Sequence, residues 1–242
     1  MEEETLKVKI IKIIDESPDV KSFRFVPLNN EKIDFLAGQF VFLYVNIMNN
    51  GNTETVRRPY SIASSPSNKD YIELTIKKLE GGKLTPYLHE HAKVSDIFDI
   101  TYPKGNFVYT GKEGNNLALI AGGCGIVPLI SIIRYIIDKK LDTNVTFLYS
   151  TKTEEDIVYK EEIKQIKENH PNIKIIHTIT RTDECWRGHV GRIDEKFMFD
   201  NIKNPKEALY YLSGGLDFIR DISETLIKNG IDREKINRDV WV

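Results

Sequence analysis

Polar and apolar positions alternate along much of the first half of the chain. Leu6-Lys7-Val8-Lys9-Ile10 and Ser22-Phe23-Arg24-Phe25 carry the period of two expected of half-buried strands. Gln39 to Ile47 is rich in β-branched and aromatic residues, Tyr71 to Lys77 alternates again, and Ile97 to Thr101 is a weaker run. Turn-forming pairs separate them: Pro18-Asp19, Asn29-Asn30, Asn49-Asn50-Gly51, Ser67-Asn68 and Gly81-Gly82. Short strands at this spacing predict a small antiparallel barrel.

The pattern changes near Gly111 to Gly114. Apolar runs at Leu117–Ile120, Val145–Tyr149, Ile173–Ile179 and Ala208–Leu212 alternate with helical stretches at about 127–140, 157–168 and 218–228. Strands alternating with helices predict a parallel, doubly wound sheet. The boundary falls in the Gly-, Asn- and Lys-rich segment Gly105 to Asn116, giving expected domains of 1–111 and 112–242.

Composition narrows the function. The chain has 242 residues, 40% hydrophobic and 29% charged, with a formal net charge of −2. That length suits two domains, and the balanced charge offers no basic excess for nucleic acid. Two cysteines, Cys124 and Cys185, fall short of the set that an iron–sulfur cluster takes. They also supply no disulfide framework, which suits a reducing compartment. The acidic start, Met1-Glu2-Glu3-Glu4, has no apolar stretch of a secretory signal. The most apolar helix, Ile126 to Ile137, is too short to span a bilayer and contains Arg134. A cytoplasmic location, with no membrane span, is therefore expected.

Four segments carry chemistry. Arg58-Pro59-Tyr60-Ser61 places a guanidinium that can grip a phosphate, a ring that can stack on a flat heterocycle and a hydroxyl within one strand end. Gly81-Gly82-Lys83-Leu84-Thr85-Pro86 reads as a glycine turn into a helix, with Thr85 at the N-cap and Pro86 in the first helical position. Such a helix start can hold a phosphate. Gly122-Gly123-Cys124-Gly125-Ile126-Val127-Pro128 follows an apolar strand and opens a second helix, with Pro128 at its start, as a pyrophosphate-binding turn would. Ser213-Gly214-Gly215 ends a strand at the sheet's carboxyl edge, where open α/β sheets take ligands.

This ordered set resembles the ferredoxin–NADP(+) reductase superfamily over about residues 5 to 242. The resemblance implies a six-stranded antiparallel flavin-binding β-barrel followed by a Rossmann-like parallel nucleotide-binding domain. It implies FAD, with FMN the less expected alternative, and NADPH or NADH as co-substrate. Residue by residue, it implies Arg58 on the flavin pyrophosphate, Tyr60 stacked on the isoalloxazine and Ser61 near N5. Pro59 belongs to the same stretch. Thr75, Ile76 and Lys77 match the strand that passes the flavin, and Gly82, Lys83, Leu84 and Thr85 match the phosphate turn. Gly123, Cys124, Gly125 and Pro128 match the nucleotide turn, and Ser213, Gly214 and Gly215 flank the nicotinamide. Tyr60, Ser61 and Ser213 are thus the catalytic candidates. Many members carry Thr at the place of Cys124 and Cys at the place of Ser213. Asp239-Val240-Trp241 resembles an acidic-x-aromatic ending, which would put Trp241 on the other flavin face or pack it as a terminal strand residue.

Thr180-Arg181, with Arg187 nearby, resembles the pair that reads a 2′-phosphate and favours NADPH, while Trp186-x-Gly188 also occurs in NADH-using relatives. The expected activity is hydride transfer from NAD(P)H to FAD, then electron delivery to a ferredoxin or flavodoxin, by a monomer unless in a complex. An electron-transfer subunit of a larger complex and a reductase of free flavin remain alternatives. No metal site is expected: His89-Glu90-His91 sits two apart on a helix and reads as solvated surface. Glu154-Glu155-Asp156 reads as dipole-compensating charge before a helix, and Lys160-Glu161-Glu162 as a solvated face.

Overall fold

Two six-stranded sheets share the chain in the computed structural model, which describes residues 4–49, 51–181 and 186–241. The first contains β1 (Thr5–Ser17), β2 (Val20–Pro27), β3 (Phe40–Asn49), β4 (Asn52–Ser61), β5 (Ile72–Lys77) and β6 (Ile97–Thr101), in the order β4-β3-β6-β1-β2-β5. Every neighbouring pair is antiparallel. Leu6, Val8 and Ile10 point inward, while Thr5 and Lys7 are exposed, as their alternation requires. A register shift between Ile10 and Lys12 tightens the curl. The sheet closes just past β4, where Ile62 bridges Leu74 and the Ala63 amide donates to the Glu73 carbonyl at 2.7 Å. Helix α1 (Leu84–His91) contributes Leu84 and Leu88 to the barrel core.

The second sheet contains β7 (Asn116–Gly122), β8 (Asn144–Thr151), β9 (Ile173–Ile179), β10 (His189–Val190), β11 (Leu209–Gly215) and β12 (Ile236–Trp241). Its order is β10-β9-β8-β7-β11-β12, and every pair is parallel. Helices α2 (Ile126–Lys139) and α3 (Lys160–Asn169) cover one face, where Leu117, Leu119, Phe147 and Tyr149 point. Helices α4 (Glu195–Asn201) and α5 (Leu216–Lys228) cover the other, over Ala118, Ile120, Tyr210 and Leu212. With both faces covered, β7 is apolar and buried from Leu117 to Ala121 rather than alternating. The chain runs outward from β7 to β10 and returns beside β7 as β11, so the switch point lies between the carboxyl ends of β7 and β11.

Several expectations change. Strand β5 is not half exposed: Glu73 and Thr75, on its outward face, are buried because the second domain covers them. Thr85 is not an N-cap. Helix α1 begins at Leu84, and the Thr85 hydroxyl accepts the Leu79 amide at 2.9 Å. Pro86 and Pro128 are each the third residue of their helix, which costs nothing because amides of the first turn have no intrahelical acceptor. Helix α3 starts at Lys160 rather than 157, after Tyr159 adopts a left-handed φ of 59°. The acidic run before it has other work: Asp156 accepts the Thr153 amide at 2.9 Å and Glu154 pairs with Lys160 at 2.8 Å. Glu162 is not solvated charge, because it pairs with Arg134. His89 is half-buried, its Nε2 2.9 Å from the Ile76 carbonyl oxygen, rather than a surface residue. Among the described residues no helix is long and apolar enough to cross a membrane.

Candidate functional site

Strand β4 is an edge strand with one buried residue, Val56, between Asn52 and Pro59. Its register places Arg58 opposite Leu43 and Tyr60 opposite Val41, so both side chains lie on the face that leads into the barrel core. Pro59 and Ser61, opposite Phe42 and Phe40, lie on the other face. The Tyr60 ring packs against the barrel cluster, yet its buried hydroxyl has no hydrogen-bond partner among the described residues. Burial pushes its ionisation well above the ordinary phenol range. An orphaned buried hydroxyl costs about 1–3 kcal/mol, a penalty that a ligand acceptor or donor at this point would relieve. Two residues away, exposed Arg58 donates to the carbonyl of its neighbour Arg57 at 2.7 Å. A ring face, an unsatisfied phenol and an exposed guanidinium in one row fit an extended ligand with a flat ring and a phosphate, as a flavin nucleotide has.

The other barrel candidates present less. Ile76 is wholly buried in the core. The Thr75 hydroxyl is hydrogen-bonded to Ser22 at 2.7 Å and to Tyr159, and Lys77 pairs with Asp19 at 2.6 Å. Those side chains are engaged with other residues of the protein. At the α1 start no side chain caps the helix. Gly81 takes a φ of +73° in open space, and Gly82 is exposed. Lys83 leans on Glu54 at 2.8 Å, while Leu84 is buried.

The second half of the site lies at the switch point. Gly123 adopts a φ of +55° with nothing within 4 Å of a would-be Cβ, an open turn at the start of α2. Gly125 is required for another reason. A Cβ there would stand 2.0 Å from the Ser213 carbonyl oxygen, so the glycine lets α2 lie directly on β11. The adjacent Cys124 is a free thiol, and burial pushes its pKa up to about 12, so it is not a thiolate near neutrality. Gly214 is buried, with the Phe218 ring 2.9 Å from its would-be Cβ, and Gly215 is open.

Ser213 is fully buried, and its hydroxyl donates to Asp239 Oδ2 at 3.0 Å. Burial raises the Asp239 carboxyl above its ordinary range, partly offset by that bond. The pairing follows from the parallel register of β11 and β12, which sets residue 239 beside residue 213. Trp241 ends β12 in its backbone, and its side chain lies outside the described residues, as does Cys185. At the carboxyl ends of β8 and β9, the Thr180 amide donates to the Thr151 carbonyl at 3.0 Å and the Arg181 amide to that of Lys152 at 2.7 Å. These bonds present the Arg181 side chain to solvent, and Arg187 is also exposed. Trp186 Nε1 donates to the His189 carbonyl at 2.8 Å.

Glu73, Arg134 and Tyr159, which link the barrel to the α/β domain, had no signal of their own in the sequence. In the sequence Arg134 reads only as a charge within the most apolar helix, and Glu73 as the polar phase of an alternating strand.

Comparison with known proteins agrees with the two-domain fold. The oxidoreductase FAD-binding domain family matches residues 7–109, and the oxidoreductase NAD-binding domain family matches residues 119–224. The chain is 28% identical over 228 residues to the glycine betaine monooxygenase reductase subunit of Chromohalobacter salexigens, covering 93% of this chain and 61% of that one. It is 29% identical over 211 residues to NADH-cytochrome b5 reductase 1 of Mortierella alpina, covering 86% of this chain and 69% of the relative. The chain therefore spans about three fifths of the length of the first of these relatives. The FAD/NAD-binding domain of nitric oxide dioxygenase from Vibrio cholerae O1 biovar El Tor superposes with a TM-score of 0.87 at 23% identity, covering 98% of both chains.

Proposed function

Because the chain belongs to the ferredoxin–NADP(+) reductase-type superfamily of flavoprotein oxidoreductases, we propose that it oxidises NAD(P)H on FAD and delivers the electrons to a separate acceptor. In this reading residues 1–111 hold the flavin and residues 112–242 the nicotinamide nucleotide. Bound flavin supplies a hydride acceptor that can release electrons singly or in pairs. The chain's own residues do the rest. Arg58 grips the pyrophosphate, and Tyr60 gives the ring a stacking face and its orphaned hydroxyl a partner. Ser61 ends the same strand with its side chain on the face opposite Tyr60, and would sit near the reacting N5. Gly82 to Thr85 lead the phosphates to the uncapped start of α1. Gly123 admits the nucleotide to the start of α2. Ser213, with its hydroxyl held by Asp239, shapes the floor between Gly125 and Gly214 rather than offering a free hydroxyl.

The observation that carries this reading is the buried, unpartnered Tyr60 hydroxyl in line with exposed Arg58. The nucleotide is NADPH: Arg181 and Arg187 are exposed cations at the β8–β9 end, where a 2′-phosphate would meet them. The acceptor is a ferredoxin or flavodoxin type of protein. A second reading, the reductase subunit of an oxygenase system, is favoured by the similarity to a monooxygenase reductase subunit.

The test is a visible spectrum of the purified chain loaded with FAD, followed by anaerobic titration with NADPH and NADH. A flavin spectrum bleached by NADPH at the lower concentration is expected. Replacing Arg181 with Ala should weaken NADPH by about 10–100-fold, the worth of a charged phosphate contact, and leave NADH unchanged. Protein that binds no added FAD would sink the reading; equal losses for both nucleotides would sink the NADPH assignment.

A further inference from the structure

We infer that Arg134 is a positioning residue for the hydride step: it fastens the helix that leaves the nucleotide turn to the segment that leaves the flavin motif. The inference rests on the function proposed above and adds a residue that no motif of that reading contains.

Arg134 lies on α2, which begins where the glycine turn ends. One terminal nitrogen donates to the Ala63 carbonyl and to Glu73 Oε1, both at 2.8 Å. The rest of the fork grips Glu162 of α3 with two bonds, at 2.7 and 2.6 Å. Glu73 is only 1% exposed, and its second oxygen accepts Arg24 Nε at 2.7 Å. One turn earlier on α2, the Ser131 hydroxyl donates to the Ser64 carbonyl at 2.7 Å. Residues three apart on a helix share a face, so Ser131 and Arg134 reach two adjacent barrel residues, Ser64 and Ala63 respectively. Those residues, Ala63 and Ser64, follow Arg58-Pro59-Tyr60-Ser61 almost directly and close the barrel onto β5.

A second contact lies alongside. The Arg134 guanidinium stands 4.9 Å from the centre of the Tyr159 ring, and the Tyr159 hydroxyl is hydrogen-bonded to Thr75 of β5. Tyr159 holds its left-handed φ of 59° there, a conformation that bulky residues rarely adopt unless their surroundings fix it.

The location decides the meaning. Domains of one chain move relative to each other by default unless their interface resists it. Buried ion pairs contribute little net stability against an apolar replacement, so stability alone is a poor reason for this cluster. It joins the two elements whose ends carry the two half-sites. A guanidinium suits this place because its planar fork fixes four bonds at once, which an ammonium cannot do.

The test uses the full chain loaded with FAD. Arg134→Lys keeps the charge and loses the fork. Flavin bleaching is followed by anaerobic stopped flow at saturating nucleotide, with the transferred hydrogen either protium or deuterium. Hydrogen exchange of the Ala63 and Glu73 amides is read in flavin-free protein. The variant should bleach about 10–100-fold more slowly, the loss expected from roughly 1 Å of misplacement. Its half-saturating nucleotide concentration should stay within about twofold, its isotope effect should rise, and both amides should exchange faster.

A variant that melts lower but bleaches at the wild-type rate with an unchanged isotope effect would show a merely structural role and overturn the inference. So would a weakened nucleotide affinity with an unchanged rate. If Arg134→Lys does not fold, Ser131→Ala removes one interdomain bond, and the same readouts must move in the same direction or the inference fails. A wild type that neither nucleotide bleaches would sink the functional reading itself. A bleached wild type with an equally fast variant sinks only this inference.

Discussion

Gly125 offers a prediction whose size follows from the coordinates. Replacing it with alanine puts a methyl group 2.0 Å from the Ser213 carbonyl oxygen, 2.5 Å from its carbon and 2.9 Å from the Gly214 nitrogen. All three are backbone atoms of β11, a strand paired on both sides, so none can rotate away. Helix α2 must instead lift off the sheet by well over an ångström, and it is buried against the barrel as well. Overpacking of a tight core costs about 1–3 kcal/mol or more, and this rigid contact belongs at the upper end. For a chain of this size about 3 kcal/mol corresponds to a melting temperature lower by roughly 6–12 °C. Two neighbouring glycines serve as controls. Gly123→Ala meets open space and carries only the cost of a left-handed residue, about 1–2 kcal/mol. Gly215→Ala has an ordinary φ of −65° and open space, so lost backbone freedom and a slightly poorer helix cap offset within about 1 kcal/mol. Thermal melting by circular dichroism should rank the losses Gly125 above Gly123 above Gly215. A Gly125→Ala protein that melts within about 2 °C of wild type, or above Gly123→Ala, would refute the close-packing argument.

Two further predictions concern single groups. Tyr60→Phe removes a hydroxyl that has no partner among the described residues, so the flavin-free chain should melt at or above the wild-type temperature. FAD affinity, read by flavin fluorescence quenching, should fall by about 2–12-fold, one net hydrogen bond; unchanged affinity would mean that the hydroxyl does not meet the flavin. His177 is stacked on Tyr149 at 4.9 Å and bonded to Thr151 at 2.9 Å, and burial, helped by Lys167, lowers its pKa from 6.5 to about 4. The unfolded chain therefore takes up this proton before the fold does. Stability contributed by the neutral ring is intact above pH 6.5, falls as pH drops from 6.5 to about 4 and is lost below that, by roughly 3 kcal/mol in all. Melting curves at pH 7 and 4.5 should show a smaller acid loss in His177→Phe; an identical loss would assign the acid limb to other groups.

The sequence by itself determined the two fold classes and the order of the motifs. Period-two alternation at Leu6–Ile10 and unbroken apolar runs such as Leu117–Ile120 are local consequences of whether one sheet face or both are covered. Glycine turns between strand and helix mark helix starts for a similarly local reason. Helix starts were less legible, because proline is tolerated anywhere in the first turn; Pro86 and Pro128 each marked a helix but not its first residue. The tertiary structure decided what depends on partners distant in the chain. Strand β4 carries almost no hydrophobic signal, and only pairing with β3 shows that Arg58 and Tyr60 share a face while Ser61 does not. Glu73 reads as a solvent-facing residue until the second domain covers it, and Arg134 reads as an ordinary helix charge until Glu73 and Glu162 surround it. Ser213 meets Asp239, and Gly125 meets Ser213, only through parallel register. A side chain's alternation phase is written in its neighbours, but what it faces is set by whichever element packs there: the Tyr60 ring meets the barrel core, while its hydroxyl meets no hydrogen-bond partner among the described residues.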